Sequence, residues 1–257
     1  MSGTLTDDTG VALPARLRPR RVVSLVPSLT EAVEVSAPGL LVGGTDYCTH
    51  PTTMELARVG GSKYPALDRV LALHPDLVLA NAEENRPGDV QALRAAGVAV
   101  WVTAPATVHD ALGALRRMLT GALGLDEPSW LGAAAEVWSV PQPQWATAIV
   151  PVWRRPWVVL GRDTFAADVL RHLGVRNSYA DHPERYPRPA LDELRGRAAD
   201  LVVLPDEPYA FTPSDGPEAF AGTPCAFVSG RHLTWYGPSL REARELLVAQ
   251  LTRTTGG

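Results

Sequence analysis

Cysteine is almost absent from this chain: Cys48 and Cys225 are the only two among 257 residues. They cannot build a disulfide framework. Neither sits in a Cys-x-x-Cys pair, so a structural zinc site of the usual spacing is excluded. Lysine occurs once, at Lys63, and the formal net charge is −4. With no basic excess to neutralise phosphates, nucleic-acid binding as a main role is excluded. No run of ~18 apolar residues occurs, so nothing reads as membrane-spanning. Residues 1–20 are polar and end in arginine. They lack the apolar stretch of ~7–15 residues that a signal peptide needs, so the chain as written is expected in the cytoplasm. Catalytic signatures are missing as well. There is no Gly-x-Ser-x-Gly elbow, no phosphate-binding Gly-x-x-x-x-Gly-Lys, no His-Glu-x-x-His and no dinucleotide Gly-x-Gly-x-x-Gly. A non-catalytic role without a resident metal is the expectation.

What is present is a foldable chain, 46% hydrophobic and 20% charged. Its length suits one large domain or two small lobes. Residues 1–20 read as a disordered tail. Val22–Val26 reads as a buried strand, and Ser28 with Glu31 has capping-box spacing for a helix to Val35. Strand 40–43 and a Gly43-Gly44 turn follow. Helix 67–73, strand 76–80, helix 89–96 closed by Gly97, strand 98–102 and helix 108–123 complete an alternating α/β pattern. An Ala-rich helix over 128–139 stands alone before the alternation restarts. Strands are then expected at 146–152, 157–160, 201–204 and 226–228, and helices at 163–173, 189–197 and 238–251. Gly174 ends the first of these helices.

The two halves echo each other. Leu67-Asp68-Arg69-Val70 and, five residues on, Asp76-Leu77-Val78-Leu79 match Leu191-Asp192-Glu193-Leu194 and Asp200-Leu201-Val202-Val203. Tyr47-Cys48-Thr49-His50-Pro51 matches Tyr179-Ala180-Asp181-His182-Pro183. A duplicated α/β unit is the economical explanation. The expected fold is therefore α/β: two similar lobes with mainly parallel sheets, joined by a single rigid helix, with a ligand cleft between them. The expected divisions are an N-terminal lobe over 21–124, a linking helix within 125–142 and a C-terminal lobe over 143–257.

Ligands favour the carboxyl ends of parallel strands. The loops expected there are rich in aromatic and charged residues. They hold Glu84, Asn85 and Arg86; Trp153, Arg154 and Trp157; Glu207 and Tyr209; and Trp235. Such side chains suit a large, flat ligand with polar edges. Core packing is the alternative for each tryptophan taken singly. His50 and His182, both before proline, could ligate a metal or simply bond their own backbone. His74, His109 and His172 read as surface residues on helices. Cys48 reads as a packing residue.

Arg21-Val22-Val23-Ser24-Leu25-Val26-Pro27-Ser28-Leu29-Thr30-Glu31 resembles the opening of the cobalamin and iron-siderophore substrate-binding proteins of ABC transporters, in the helical-backbone metal-receptor superfamily. Thr45-Asp46-Tyr47-Cys48, Gly60-Gly61-Ser62-Lys63-Tyr64-Pro65 and Leu73-His74-Pro75-Asp76-Leu77-Val78 continue the match in order. So do Trp153-Arg154-Arg155-Pro156-Trp157 and Leu233-Thr234-Trp235-Tyr236-Gly237-Pro238. The resemblance runs from about Arg21 to Leu251.

It implies two periplasmic-binding-protein-like lobes and a non-catalytic binding role. The ligand implied is a cobalamin or other corrinoid, with a ferric siderophore or haem as the alternative and a cytosolic enzyme using Glu84, His182 and Glu207 as a further one. Tyr47 matches a tyrosine that grips the corrin edge. Lys63 and Tyr64 stand where the cobalamin binder compared has tryptophan. Asp68 and Asp192 fall at positions that dock to a membrane permease, where glutamate is usual. For the chelate alternative, Tyr47, Tyr209, Arg154 and Arg155 would serve, because guanidinium pairs suit anions. A strongly cationic floor would favour an anionic chelate, and a mixed aromatic floor a corrin. The resemblance further implies a monomer that meets an ABC permease if exported. The family is usually periplasmic or an extracytoplasmic lipoprotein.

Overall fold

The computed structural model describes residues 5–13 and 17–255. The chain divides into two compact units. Unit 1 comprises residues 1–105, 110–132 and 236–238, and unit 2 comprises 106–109, 133–235 and 239–257.

Unit 1 begins with a hairpin of β1 (Leu5–Thr6) and β2 (Ala12–Leu13). Its main sheet uses β3 (Val22–Ser24), β4 (Leu41–Gly44), β5 (Ala57–Arg58), β6 (Leu77–Asn81) and β7 (Ala99–Thr103). These pair in the order β5-β4-β3-β6-β7, every pairing parallel. The intervening helices are α1 (Pro27–Ser36), α2 (Leu67–Ala72) and α3 (Pro87–Ala95). Parallel strands need such crossovers, and their near-continuous apolar runs follow from being covered on both faces. Val23, Leu25, Val78, Ala80, Val100 and Val102 form one side of the core with Val70 and Leu93 from the helices. After β7 comes α4 (Val108–Arg116), which runs into a π-helical turn over Arg117–Ala122 where a regular helix to 123 was expected. The helix α5 (Ser129–Val137) follows, and the chain passes from unit 1 to unit 2 within it.

Unit 2 contains β8 (Ala146–Ile149), a hairpin of β9 (Pro151–Trp153) and β10 (Val158–Val159), α6 (Phe165–His172), β11 (Val175–Asn177) and α7 (Leu191–Gly196). Then come β12 (Leu201–Pro205), a 3₁₀ turn (Pro217–Phe220), β13 (Cys225–Val228), α8 (Gly230–Thr234), α9 (Leu240–Leu251) and β14 (Thr254–Thr255). The sheet order is β11-β8-β12-β13-β14, parallel except for β14 at the edge. The sequence echo is thus a structural one. In both units the first strand, β3 or β8, lies between the strand that follows its first helix and the strand that opens with Asp-Leu-Val.

The echoing aspartates repeat a hydrogen-bond device. Asp76 Oδ2 accepts from Arg20 N at 2.7 Å and Arg21 N at 3.0 Å. Asp200 Oδ2 accepts from Thr147 N at 2.7 Å and Thr147 Oγ1 at 2.8 Å. Each carboxylate takes up backbone amides at the entrance of the neighbouring first strand: Arg20 and Arg21 just before β3, and Thr147 within the first two residues of β8. Asp200 titrates below the ordinary carboxylate range because those donors hold its charge.

Three local expectations change. Part of the stretch expected to be disordered is folded, although residues 1–4 and 14–16 lie outside the described residues. Asp7 is buried; its Oδ1 accepts from Thr9 N, Thr9 Oγ1 and Val11 N, and its Oδ2 from Arg94 Nη2 at 2.8 Å. A short Asp-initiated turn reads as polar tail by composition alone, yet its aspartate organises it. The Ser28–Glu31 capping box does not form. The helix starts at Pro27, with Val26 at the cap and no side-chain cap bond. Proline suits that first position because its missing N–H is one the helix leaves unpaired. Gly43 and Gly44 are strand residues rather than a turn. A Cβ on Gly43 would run into the Leu73 side chain, so glycine here permits close helix–sheet packing.

His172 is also not a surface residue. Its ring sits edge-on to Trp138, 5.9 Å between centroids, and its Nε2 lies 3.6 Å from Asp168. Burial pulls its pKa below 6.5, against the opposing pull of Asp168. The unfolded chain therefore takes up this proton at a higher pH than the native one, and native stability declines as pH falls through 6.5 toward the depressed value. In urea titrations, the loss of midpoint between pH 7 and pH 5 is expected to be smaller in His172→Gln than in the parent.

Candidate functional site

In open parallel sheets, ligand sites fall in the crevice where crossovers leave the sheet in opposite directions. In unit 1 that point lies between β3 and β6, and in unit 2 between β8 and β12.

At the unit 1 point, two asparagines build the loop after β6. Asn85 Oδ1 accepts from Asn81 N at 2.8 Å, and Asn81 Oδ1 accepts from Glu83 N at 2.7 Å and Glu84 N at 3.2 Å. Asn85 Nδ2 donates to Ser62 O at 2.8 Å. Asn85 is buried, so its amide is committed to this clamp, while Glu84 is half-buried and Arg86 exposed. Asn81 Nδ2 donates at 2.6 Å to the hydroxyl of Tyr236, one of the three residues 236–238 that return to unit 1. That hydroxyl also lies 2.8 Å from Thr103 Oγ1. Thr103 Oγ1 donates to Ala80 O, which leaves Tyr236 to donate to Thr103. Burial pushes the Tyr236 phenol well above its ordinary pKa, so it stays neutral. Tyr236→Phe would strand the Asn81 amide in the interior. It is expected to cost about 1–3 kcal/mol in equilibrium unfolding, with the secondary structure retained.

Beside this loop stand two exposed tyrosines. Tyr47 is 65% and Tyr64 68% exposed. Tyr47 projects from a turn fixed from beneath, where Arg58 Nη1 donates to Thr45 O at 2.8 Å and Cys48 O at 2.7 Å. Cys48 is the buried plug of that turn, its Sγ 2.9 Å from Thr30 Oγ1 and 3.2 Å from Thr45 Oγ1. Burial raises its thiol pKa, so it packs rather than reacts. Arg86 lies over the Tyr64 ring at 4.6 Å and forms a two-bond fork with Asp89. Lys63 is exposed next to Tyr64.

At the unit 2 point, the β9–β10 hairpin meets the loop after β12. Trp153, 45% exposed, stands edge-on to Tyr209 at 5.6 Å. Tyr209 tilts against Phe211 at 4.7 Å, and Phe211 stacks on Trp157 at 6.1 Å. Trp157 also meets Phe220 edge-on and packs on the unit 2 core, so it is the half-buried root of an aromatic ladder whose outer rung is Trp153. Arg154 lies 5.2 Å over Trp157 and is ion-paired to both Asp215 and Glu218. Tyr209 donates to Asp215 Oδ2 at 2.6 Å, which raises the phenol pKa.

Further along this edge, Trp235 is buried, with Arg231 5.7 Å above its ring. Glu207 packs against Gly230, leaving no room for a side chain there. His182 is a turn residue whose Nδ1 accepts from Glu184 N at 3.1 Å, which is the backbone-bonding role left open by the sequence. Among the described residues no cluster of three His, Cys, Asp or Glu side chains could hold a metal ion. No helix among them is long and apolar enough to cross a membrane.

The chain is 25% identical to the vitamin B12-binding protein of Photorhabdus laumondii subsp. laumondii over 196 residues, covering 72% of this chain and 70% of that one. Its fold matches the periplasmic vitamin B12-binding protein BtuF of Vibrio cholerae with a TM-score of 0.70 at 18% identity, over 91% of this chain and 97% of that one. The cobalamin and iron-siderophore substrate-binding resemblance holds. The periplasmic haem-binding protein RhuT of Roseiflexus sp. RS-1 in apo form matches with a TM-score of 0.70 at 18% identity, over 90% and 98%. No protein-family model matches the chain.

For a chain with this substrate-binding-protein fold, the two echoing acids hold equivalent places. Asp68 and Asp192 are exposed in the first turns of α2 and α7, where a helix end favours a carboxylate. The Tyr47 echo is one of position only. Tyr179 occupies the matching loop but is fully buried, with Arg197 over its ring and its phenol pushed up to about 12 by burial and Glu193. Sequence reading missed Asn81, Tyr236, Asp215 and Glu218. Tyr236 stood beside Trp235 in a recognised run. Nothing local marked Asp215 or Glu218 as partners of an arginine some 60 positions earlier.

Burial, then the neighbouring Asp206 charge, raises the Glu207 pKa. The native state thus resists ionising a group that the unfolded chain ionises near 4.5, a penalty absent at low pH and complete above the raised value. Glu207→Gln is expected to melt at a higher temperature than the parent at pH 7, the gap closing toward pH 4 in thermal scans.

Proposed function

We propose that this protein binds a cobalamin-type corrinoid without transforming it. The reading rests on the unit 2 switch point, where the exposed surface is an aromatic ladder and its arginine is already neutralised. Trp153 and Tyr209 offer stacking and edge contacts, while Asp215 and Glu218 consume the charge of Arg154. A polyanionic chelate would need free guanidinium forks there. A large, mostly amide-edged corrin needs apolar faces with scattered hydrogen-bond partners. The vitamin B12-binding relatives support the same class of ligand. Unit 1 adds its own surface of Tyr47 and Tyr64 beside Lys63 and Arg86, and Asp68 and Asp192 are the proposed contacts for a permease.

A haem or ferric chelate is the second reading. It is favoured by the exposed Tyr47 and Tyr64, since phenolate oxygen is a recognised axial donor to ferric iron.

The test is to mix the protein with hydroxocobalamin, remove free ligand by gel filtration and record the visible spectrum of the protein peak. Stoichiometric co-elution is expected, with Trp153→Ala weakening binding by roughly tenfold or more, as for an exposed aromatic anchor. A colourless protein peak would overturn the corrinoid assignment. The same experiment with haemin would then decide the second reading from its Soret band.

A further inference from the structure

Unit 2 contains a cavity of about 520 Å³ that none of the proposed corrinoid contacts lines. It runs along one face of α6, from Arg162, Asp163 and Thr164 at the helix start to Asp168 and Arg171, with Arg176 of β11 on the opposite wall. Thr164 occupies the N-cap position of α6 and is only 2% exposed. An N-cap threonine normally accepts a bond from a first-turn amide. This one makes no cap bond, and its Oγ1 has no partner at all. A buried hydroxyl left in that state costs stability unless something occupies the space in front of it. The helix beside it presents the Ala166 and Ala167 N–H groups, which no side-chain cap satisfies, together with the positive end of its dipole.

The charge around the cavity points the same way. Three guanidiniums face two carboxylates, and both carboxylates are spent. Asp168 Oδ2 accepts from Val108 N at 2.8 Å, and its Oδ1 accepts from Arg171 Nε at 2.8 Å. Asp163 is paired with Arg162. Arg176 reaches only Asp181, whose side chain is 84% exposed and lies outside the lining. We infer that this cavity is an oxyanion site. It takes the phosphate group of a small polar molecule, with the Thr164 hydroxyl donating to one oxygen, the Ala166 and Ala167 amides to another, and Arg176, whose partner Asp181 stands out in solvent, closing over the third. The volume exceeds that of a bare phosphate, which leaves room for an attached polar body against Gln142 and Gln144.

The experiment is a titration of ¹⁵N-labelled protein with inorganic phosphate at constant ionic strength, using chloride as the balancing anion. Saturable amide shifts centred on residues 162–168 are expected. Thr164→Val is expected to weaken the apparent affinity about tenfold, the loss of one charge-assisted hydrogen bond. Arg176→Ala removes an exposed side chain and serves if the valine variant does not fold; a severalfold weakening is expected there. Shifts that never saturate, that scatter over unrelated arginines, or that saturate equally in the parent and both variants would overturn the site.

Discussion

In both five-stranded sheets one carboxylate ties the first strand to its neighbour. Asp76 and Asp200 precede the strands that lie beside the first strand of their units, and each accepts hydrogen bonds from the backbone that enters that first strand. The bond fixes register at the amino end of the sheet. Register in parallel strands is transmitted along the whole ladder, because one slipped residue would turn buried side chains outward. The carboxyl ends of the same two strands are therefore set side by side as well, and those ends carry the loops with chemistry. In unit 1 they bring the Leu25 carbonyl to the Asn85 amide; in unit 2 they bring Trp153 to Tyr209. A surface aspartate at one edge of the sheet thus determines what meets at the other.

Much of this was legible because parallel α/β units write their pattern plainly. β6 and β12 are five-residue runs buried throughout, and no polar face interrupts them. Gly97 and Gly174 end their helices in left-handed conformation, as their positions after Ala96 and Leu173 suggested. The repeated Leu-Asp and Asp-Leu-Val segments announced the duplication. What stayed hidden has a common cause. The Asp7 turn, the Arg154 ion pairs and the Tyr236 bonds are all made by polar side chains reaching partners far along the chain. Polar residues in loops have no periodicity to betray their direction. Asn85 looked like a loop residue free for ligand, and it is instead half of a two-asparagine clamp. Trp235 and Trp153 are indistinguishable by residue type, but one is 8% and the other 45% exposed.

In the proposed site, the aromatic ladder of unit 2 puts packing and recognition on one set of residues. Phe211 and Phe220 belong to the core and the half-buried Trp157 packs against them, which stiffens the hairpin and the loop that bear Trp153 and Tyr209. A rigid aromatic loses little rotamer entropy on binding, so an outer rung held by an inner one is pre-organised. The ion pairs of Arg154 with Asp215 and Glu218 serve the same end. Arg154 is only 15% exposed while its partners are 36% and 53% exposed, so its charge is drawn down onto the ladder rather than offered to solvent.

That arrangement bears on selectivity. A guanidinium already paired must give up two carboxylates before it can grip an anionic ligand, and both would then be left close to that ligand's own negative charge. In the proposed site, discrimination against polyanions would therefore come from repulsion built into the loop as much as from lost attraction. The unit 1 surface lacks the device in this form. Arg86 is forked to a single acid, Asp89, and still lies over the open face of Tyr64. The two units keep the same strand order around their first strands while differing in how they hold their arginines. The difference between the units thus lies in the loops, where a change of one acid alters the local charge without disturbing the buried strands that hold the sheet.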